Sequence, residues 1–173
     1  MMFKELLMIG AIVAQMASSP SAEVPVEGTY SQAQMEINNI ARDVCEDYEN
    51  VDPELVIAII QRESEYDPSA ENGGCVGLMQ VSLKYQKSRA EELGIDDFFD
   101  PVGNITIGVD YLDELIETYE DVYLALMLYN MKWNSAFEMY NSGKISNYAK
   151  AVVKQKDKLC DMSYEELYGG GDQ

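Results

Sequence analysis

Glu63 follows an uninterrupted apolar run, Leu55 to Ile60, after only Gln61 and Arg62. If that run is a buried helix, a carboxyl at its C-terminal end is poorly hydrated and meets the negative end of the helix dipole. Both effects disfavour the anion and raise the pKa. A carboxyl that keeps its proton near neutral pH can protonate a glycosidic oxygen. Chain position alone leaves a second reading open, with Glu63 turned to solvent or paired with Arg62. The rest of the composition narrows the chemistry. There is no histidine, which excludes Ser-His and Cys-His triads and His-ligated zinc. Acid–base work falls to Asp and Glu, of which there are 31, or to Lys, Tyr and Cys. No metal site and no cofactor are expected.

Several elements must position that carboxyl. The chain has 173 residues, 47 % of them apolar, so one ordered domain is expected. From Ser31, apolar residues Ile37, Ile40, Ala41, Val44, Cys45 and Tyr48 recur at helical steps. Asp52-Pro53-Glu54 combines a cap, a first-turn proline and an acid, and starts the helix that carries Glu63. Asn72-Gly73-Gly74 is a turn, and Val76 to Val81 is a short strand or tight loop. Further helices are expected over 82–93 closed by Gly94, from a cap at Asn104 to about Tyr119, over 121–130, over 132–142 and over 146–158. No repeat and no set of alternating strands is present. The class is mainly α, with at most a very short β element.

The ends read differently. Residues 1–22 have the shape of an export signal: Lys4, an apolar stretch from Leu6 to Ala17, then small residues. Glu5 cancels Lys4, so an uncleaved anchor is the alternative. Residues 23–30 read as a linker, 31–160 as the folded domain and 161–173 as a tail ending in Gly169-Gly170-Gly171.

The order of short motifs carries more than any one of them. The run from Pro53 to Ser82 contains Glu63-Ser64, a polar loop, then Gly77-Leu78-Met79-Gln80. Asp100-Pro101, Asn104-Ile105, Gly108 and Tyr111-Leu112 follow, then Ala125-Leu126 with Tyr129-Asn130, then Tyr148 and Val152. This series resembles the catalytic domain of soluble lytic transglycosylases, in the lysozyme-like superfamily, over about residues 35 to 155. The resemblance implies a compact helical domain with a substrate cleft. It implies non-hydrolytic cleavage of the β-1,4 bond from N-acetylmuramic acid to N-acetylglucosamine in peptidoglycan, with Glu63 as acid and then base. Ser64, Met79, Gln80, Tyr129, Asn130 and Tyr148 would line the substrate site. The implied setting is extracytoplasmic, and the implied partner is the glycan strand, met by a monomer.

Two departures stand out. Lys132 occupies a position where the family usually has glycine, which questions the loop after Asn130. Lys144 and Ser146 replace a Glu and an Arg common before the last Tyr, which questions recognition of the peptide stem. Two rival readings remain: a hydrolytic muramidase using Glu65, Asp67 or Glu71 to activate water, and a wall-binding or assembly module without turnover.

Charge and cysteines bound the partners. The formal charge is −19 with 12 basic residues, which disfavours nucleic acid and anionic membrane surfaces. Removing 1–22 takes one Lys and one Glu and leaves the charge unchanged. Lys144, Lys150, Lys154, Lys156 and Lys158 cluster in a stretch that reads as a solvated helix face or a contact with an anionic polymer. Cys45, Cys75 and Cys160 allow one disulfide and one free thiol in an oxidising compartment. Cys75, two residues before Gly77, is a candidate staple of the cleft loop to either of the others.

Overall fold

The computed structural model describes residues 30–162. The expected export signal, nearly all of the linker and all but the first residues of the tail lie outside the described residues. The described chain folds into seven α-helices and a small three-stranded sheet, the mainly α architecture that the periodicity indicates.

Helix α1 spans Gln32–Cys45. Its start is a capping box: Ser31 Oγ accepts from the Gln34 N–H, and Gln34 Oε1 accepts from the Ser31 N–H. Ile37, Ile40, Ala41, Val44 and Cys45 form its buried face. Tyr48, expected on that face, lies past the helix end, and its hydroxyl donates to Asp110 at 3.3 Å.

Helix α2 spans Pro53–Glu63, and Leu55 to Ile60 are all at most 2 % exposed. Full burial of each of its Leu, Val and Ile side chains contributes about 1.5–3 kcal/mol, which makes this short helix the centre of the molecule. Asp52 adopts the extended backbone of a cap, but its carboxylate makes no capping bond. It accepts from Lys156 of the last helix at 2.7 Å instead. Helix α2 packs mainly on that last helix and also on α1.

Strands β1 (Glu71–Asn72), β2 (Cys75–Val76) and β3 (Val81–Ser82) are antiparallel in the order β1-β2-β3. Glu71 faces Val76 across the first pair, and Cys75 faces Ser82 across the second. Gly73 and Gly74 turn the hairpin with φ of 60° and 88°, as a tight two-residue turn demands.

Helix α3 is Lys87–Leu93, not the longer helix expected from Ser82. Ser82 is taken by the sheet, and the chain turns before it can coil. Helix α4 is Pro101–Tyr119 and begins four residues before the expected start. Its cap is Asp100, whose carboxylate accepts from the Gly103 N–H at 2.8 Å. Asn104 is therefore inside the helix and free for other work. Helices α5 (Val122–Asn130), α6 (Trp133–Asn141) and α7 (Asn147–Asp161) complete the body. Helix α4 packs on α1 and α5, and α5 packs on α6 and α7.

The basic stretch resolves into a largely solvated α7 face, with Lys150, Lys154 and Lys158 exposed and Lys156 paired to Asp52. All three thiols are unpaired: Cys45 buried, Cys75 half-buried and Cys160 exposed. The expected staple at Cys75 is not formed. Cys75 belongs to β2, where the antiparallel pairing holds the loop without it.

Candidate active site

Glu63 is the last residue of α2 and stands in a cleft of about 500 Å³. The cleft is lined by the end of α2, the loop after it, the first strand of the hairpin and Gln80. Burial raises the Glu63 pKa above the ordinary carboxyl value, while Tyr148, Arg62 and Asn130 draw it partly back. Solvent reaches the residue, so it is not a sealed core acid.

Tyr148 comes from the first turn of α7. Its hydroxyl is buried with no partner in hydrogen-bonding geometry, yet it lies near enough to Glu63 to favour the anion. Catalytic hydrogen bonds often close only around substrate. The Arg62 guanidinium sits 5.7 Å from the Tyr148 ring centroid, a cation–π contact that steadies the ring. Burial, and then the Glu63 carboxylate, push the Tyr148 phenol well above its usual pKa. It is a neutral donor throughout the physiological range.

Tyr129 and Asn130 close α5. The Tyr129 hydroxyl donates to the Met79 carbonyl at 2.9 Å, and burial and Glu63 raise its pKa too. Asn130 is exposed beside the carboxyl. The loop after it needs no glycine. Met131 has φ −130° and Lys132 φ −61°, ordinary values for any L-residue.

Ser64 is nearly buried and lines the cleft. Its hydroxyl donates to the Ile60 carbonyl at 3.1 Å, which ties down the turn that presents Glu63. Gln80 has φ 49°, a left-handed conformation unusual for a side-chain-bearing residue. Its amide N–H₂ bridges the Ala70 and Gly77 carbonyls at 3.1 and 3.0 Å. Both donors thus brace the loop, which leaves only the carbonyl oxygen for a ligand.

The resemblance puts Met79 at the catalytic centre; the structure buries its side chain completely. Its role is carried by the main chain: the carbonyl holds Tyr129, and the N–H donates to Asn104 Oδ1 at 2.8 Å. Gly108 makes room for the thioether, since a Cβ there would lie 2.6 Å from the Met79 sulfur.

Asn104 is the residue that sequence reasoning assigned to the wrong task. It is fully buried, and its amide donates to the Val76 and Phe98 carbonyls at 2.9 and 2.8 Å. It thereby ties the loop around Met79 to α4. Gly77 has φ 73°, and a Cβ there would meet the Asn104 amide at 2.3 Å. A helix-interior Asn with a downstream Gly pattern is too weak a signal to have indicated this.

A second cavity, of about 480 Å³, lies at the turn from α6 to α7 between Met139, Lys144, Ile145 and Lys150. It contains no carboxylate. No cluster of three potential metal ligands occurs among the described residues.

The seven helices and the small sheet form a lysozyme-like helical fold. The chain's likeness to the 70-kDa soluble lytic transglycosylase of Escherichia coli supports this, with a TM-score of 0.60 at 19 % identity over 75 % of this chain and 26 % of that one. Residues 43–158 match the transglycosylase SLT domain, and the chain belongs to that family. A transglycosylase of Enterobacteria phage PRD1 is 38 % identical over 112 residues, 64 % of this chain and 39 % of that protein. A membrane-bound lytic murein transglycosylase F of Desulfosudis oleivorans is 39 % identical over 77 residues, 44 % of this chain and 16 % of its own. The chain thus aligns with about two-fifths of the first relative and a sixth of the second.

Proposed function

We propose that this protein is a peptidoglycan lytic transglycosylase acting outside the cytoplasm. The observation that carries the reading is the half-buried Glu63 carboxyl, its pKa raised by burial, lining a cleft in an SLT domain. Protonated Glu63 gives its proton to the glycosidic oxygen, and the bond from that oxygen to muramic acid C1 breaks. The Glu63 carboxylate then takes the proton of the C6 hydroxyl, whose oxygen bonds to C1 and closes the 1,6-anhydro ring. The acid is regenerated and no water is consumed, so one carboxyl suffices. Tyr148 and Asn130 stabilise the carboxylate between the steps. Ser64, Gln80 and Tyr129 hold the walls, and Asn130 and Tyr148 meet the sugars.

The muramidase reading asks for a second carboxylate. Glu65, Asp67 and Glu71 do line the same cleft. Asp67 accepts from both the Ser69 hydroxyl and N–H, which holds its pKa below the ordinary value and makes it a weak base. The altered loop at Met131-Lys132 is the feature that favours a wall-binding or assembly module without turnover, and it adopts ordinary backbone geometry. Incubating purified protein with peptidoglycan and weighing the products by mass spectrometry tests the proposal. Anhydro-muramyl ends, absent with Glu63→Gln, are expected. Reducing ends, one water heavier, would establish hydrolysis instead.

Export rests on the segment 1–22, and N-terminal sequencing of protein recovered outside the cytoplasm tests it. No described helix is long and apolar enough to cross a membrane. A monomeric body over 31–160 completes the proposal.

A further inference from the structure

Trp133 is the only tryptophan in the chain and opens α6 directly after the loop that follows Asn130. It is 49 % exposed, the most exposed aromatic of the body after Tyr85. Large apolar side chains left open in this way mark binding surfaces when they adjoin a site. Trp133 adjoins one through a continuous row of rings. Its indole N–H donates to the Tyr111 hydroxyl at 3.4 Å. The Tyr111 ring lies 5.6 Å from that of Tyr129, which reaches the Met79 carbonyl and couples to Glu63. The row is held rigid from behind. The Arg89 guanidinium lies 5.2 Å from the Tyr111 ring centroid while paired to Asp110 and Glu114. Phe137 and Tyr119 meet Trp133 at interplanar angles of 75° and 81°. Among the described residues no ring lies parallel to the indole, and about half of the side chain stays open to solvent.

We infer that Trp133 is the stacking platform of an outlying sugar subsite, which takes a β-1,4-linked N-acetylhexosamine ring of the glycan strand. This rests on the proposed function, because it supplies the polymer that continues along the row. An all-equatorial pyranose presents a flat face of axial C–H groups, and an indole covers that face with apolar contact. Exposed Lys132 and Asn134 flank Trp133 and place donors and acceptors at the rim. Two tyrosines stand between Trp133 and Glu63, so the sugar held here is not the one cut. The subsite therefore favours long strands over short fragments.

Because Trp133 is the sole tryptophan, its emission reports the subsite directly. Glu63→Gln protein, which binds without turnover, is titrated with peptide-free glycan strands while calorimetry follows binding independently. Saturable change in emission is expected at the same midpoint as the heat, with little change for a disaccharide. Trp133→Ala should weaken strand binding about tenfold and Trp133→Tyr by less, as expected for loss of one aromatic anchor, with far-UV circular dichroism unchanged. Calorimetric saturation with silent emission would overturn the subsite and leave the enzyme reading intact. Emission that follows protein concentration rather than glycan would assign the face to a second copy and also overturn it. Absence of heat with any strand would remove the proposed function and the subsite together.

Discussion

Glu63 holds its proton more tightly in the folded protein than an ordinary carboxyl does, because burial outweighs the donors around it. Two consequences follow for pH. In the proposed mechanism it acts first as a general acid and must be protonated, so turnover should fall as pH rises through its folded pKa, at a higher pH than a solvated glutamate would set. For stability the sign is the same. A carboxyl with a raised folded pKa favours the fold below its unfolded pKa, and this contribution is lost as pH rises through the folded value. Glu63→Gln should therefore abolish turnover, by about a hundredfold or more, while raising Tm at neutral pH relative to the parent. Thermal melts at acid and neutral pH check this: the gain should shrink in acid, where the parent carboxyl is already neutral. The cysteines give a second residue-scale prediction. Burial, then Glu54 and Asp52, push the Cys45 thiol up to about 12, so it should resist alkylation at neutral pH until the protein unfolds. Cys160 is exposed and should react first. Timed labelling with peptide mapping reads both rates.

At the scale of elements, the loop around Met79 depends on one amide. Asn104→Ala would strand the Met79 N–H and two carbonyls in the interior. Leaving buried polar groups unpaired costs about 1–3 kcal/mol each, so a loss of about 3 kcal/mol by urea unfolding is expected, with activity lost through misplaced Tyr129. Gly77→Ala should have a similar effect by a different route, since its left-handed φ and the Asn104 amide both exclude a Cβ. Lys132→Gly makes a contrasting case. The native φ of −61° needs no glycine, so the substitution should cost stability of up to about 1 kcal/mol by loosening the unfolded chain and should bring no gain in turnover. A marked gain would show that the loop is strained as it stands.

At the scale of the molecule, the charge of −19 would set the terms of an encounter with the proposed substrate, an anionic wall polymer. Long-range repulsion between the protein and the polymer is screened within about 10 Å at 0.1 M salt. The rate on intact peptidoglycan at low substrate should therefore rise with moderate salt, through KM rather than kcat. Turbidity assays across ionic strength measure the split. A fall with salt would mean that the exposed α7 lysines, not the net charge, govern the approach.

Local signals in the chain carried a good part of this. The apolar period of α1, the Asp-Pro start of α2 and the Gly73-Gly74 turn are decided by neighbours a few residues apart, and they were legible. So was Glu63 as an acid at the end of a buried helix, and its family context from motifs in order. Other features depend on contacts between distant segments. Ser82 left its expected helix for a sheet that pairs it with Cys75. Asn104 left a helix cap for a bridge to Val76 and Met79. Asp52 left its capping bond for Lys156, over a hundred residues away in sequence. Tyr148 could be placed beside Glu63 only once α7 packed on α2, and Trp133 acquired its row of rings only once α6 met α4. The sequence by itself determined most of the helices, the carboxyl at the end of the buried α2 and the family. The tertiary structure alone decided which polar groups satisfy one another in the interior, because a buried donor takes whatever acceptor the packing brings to it.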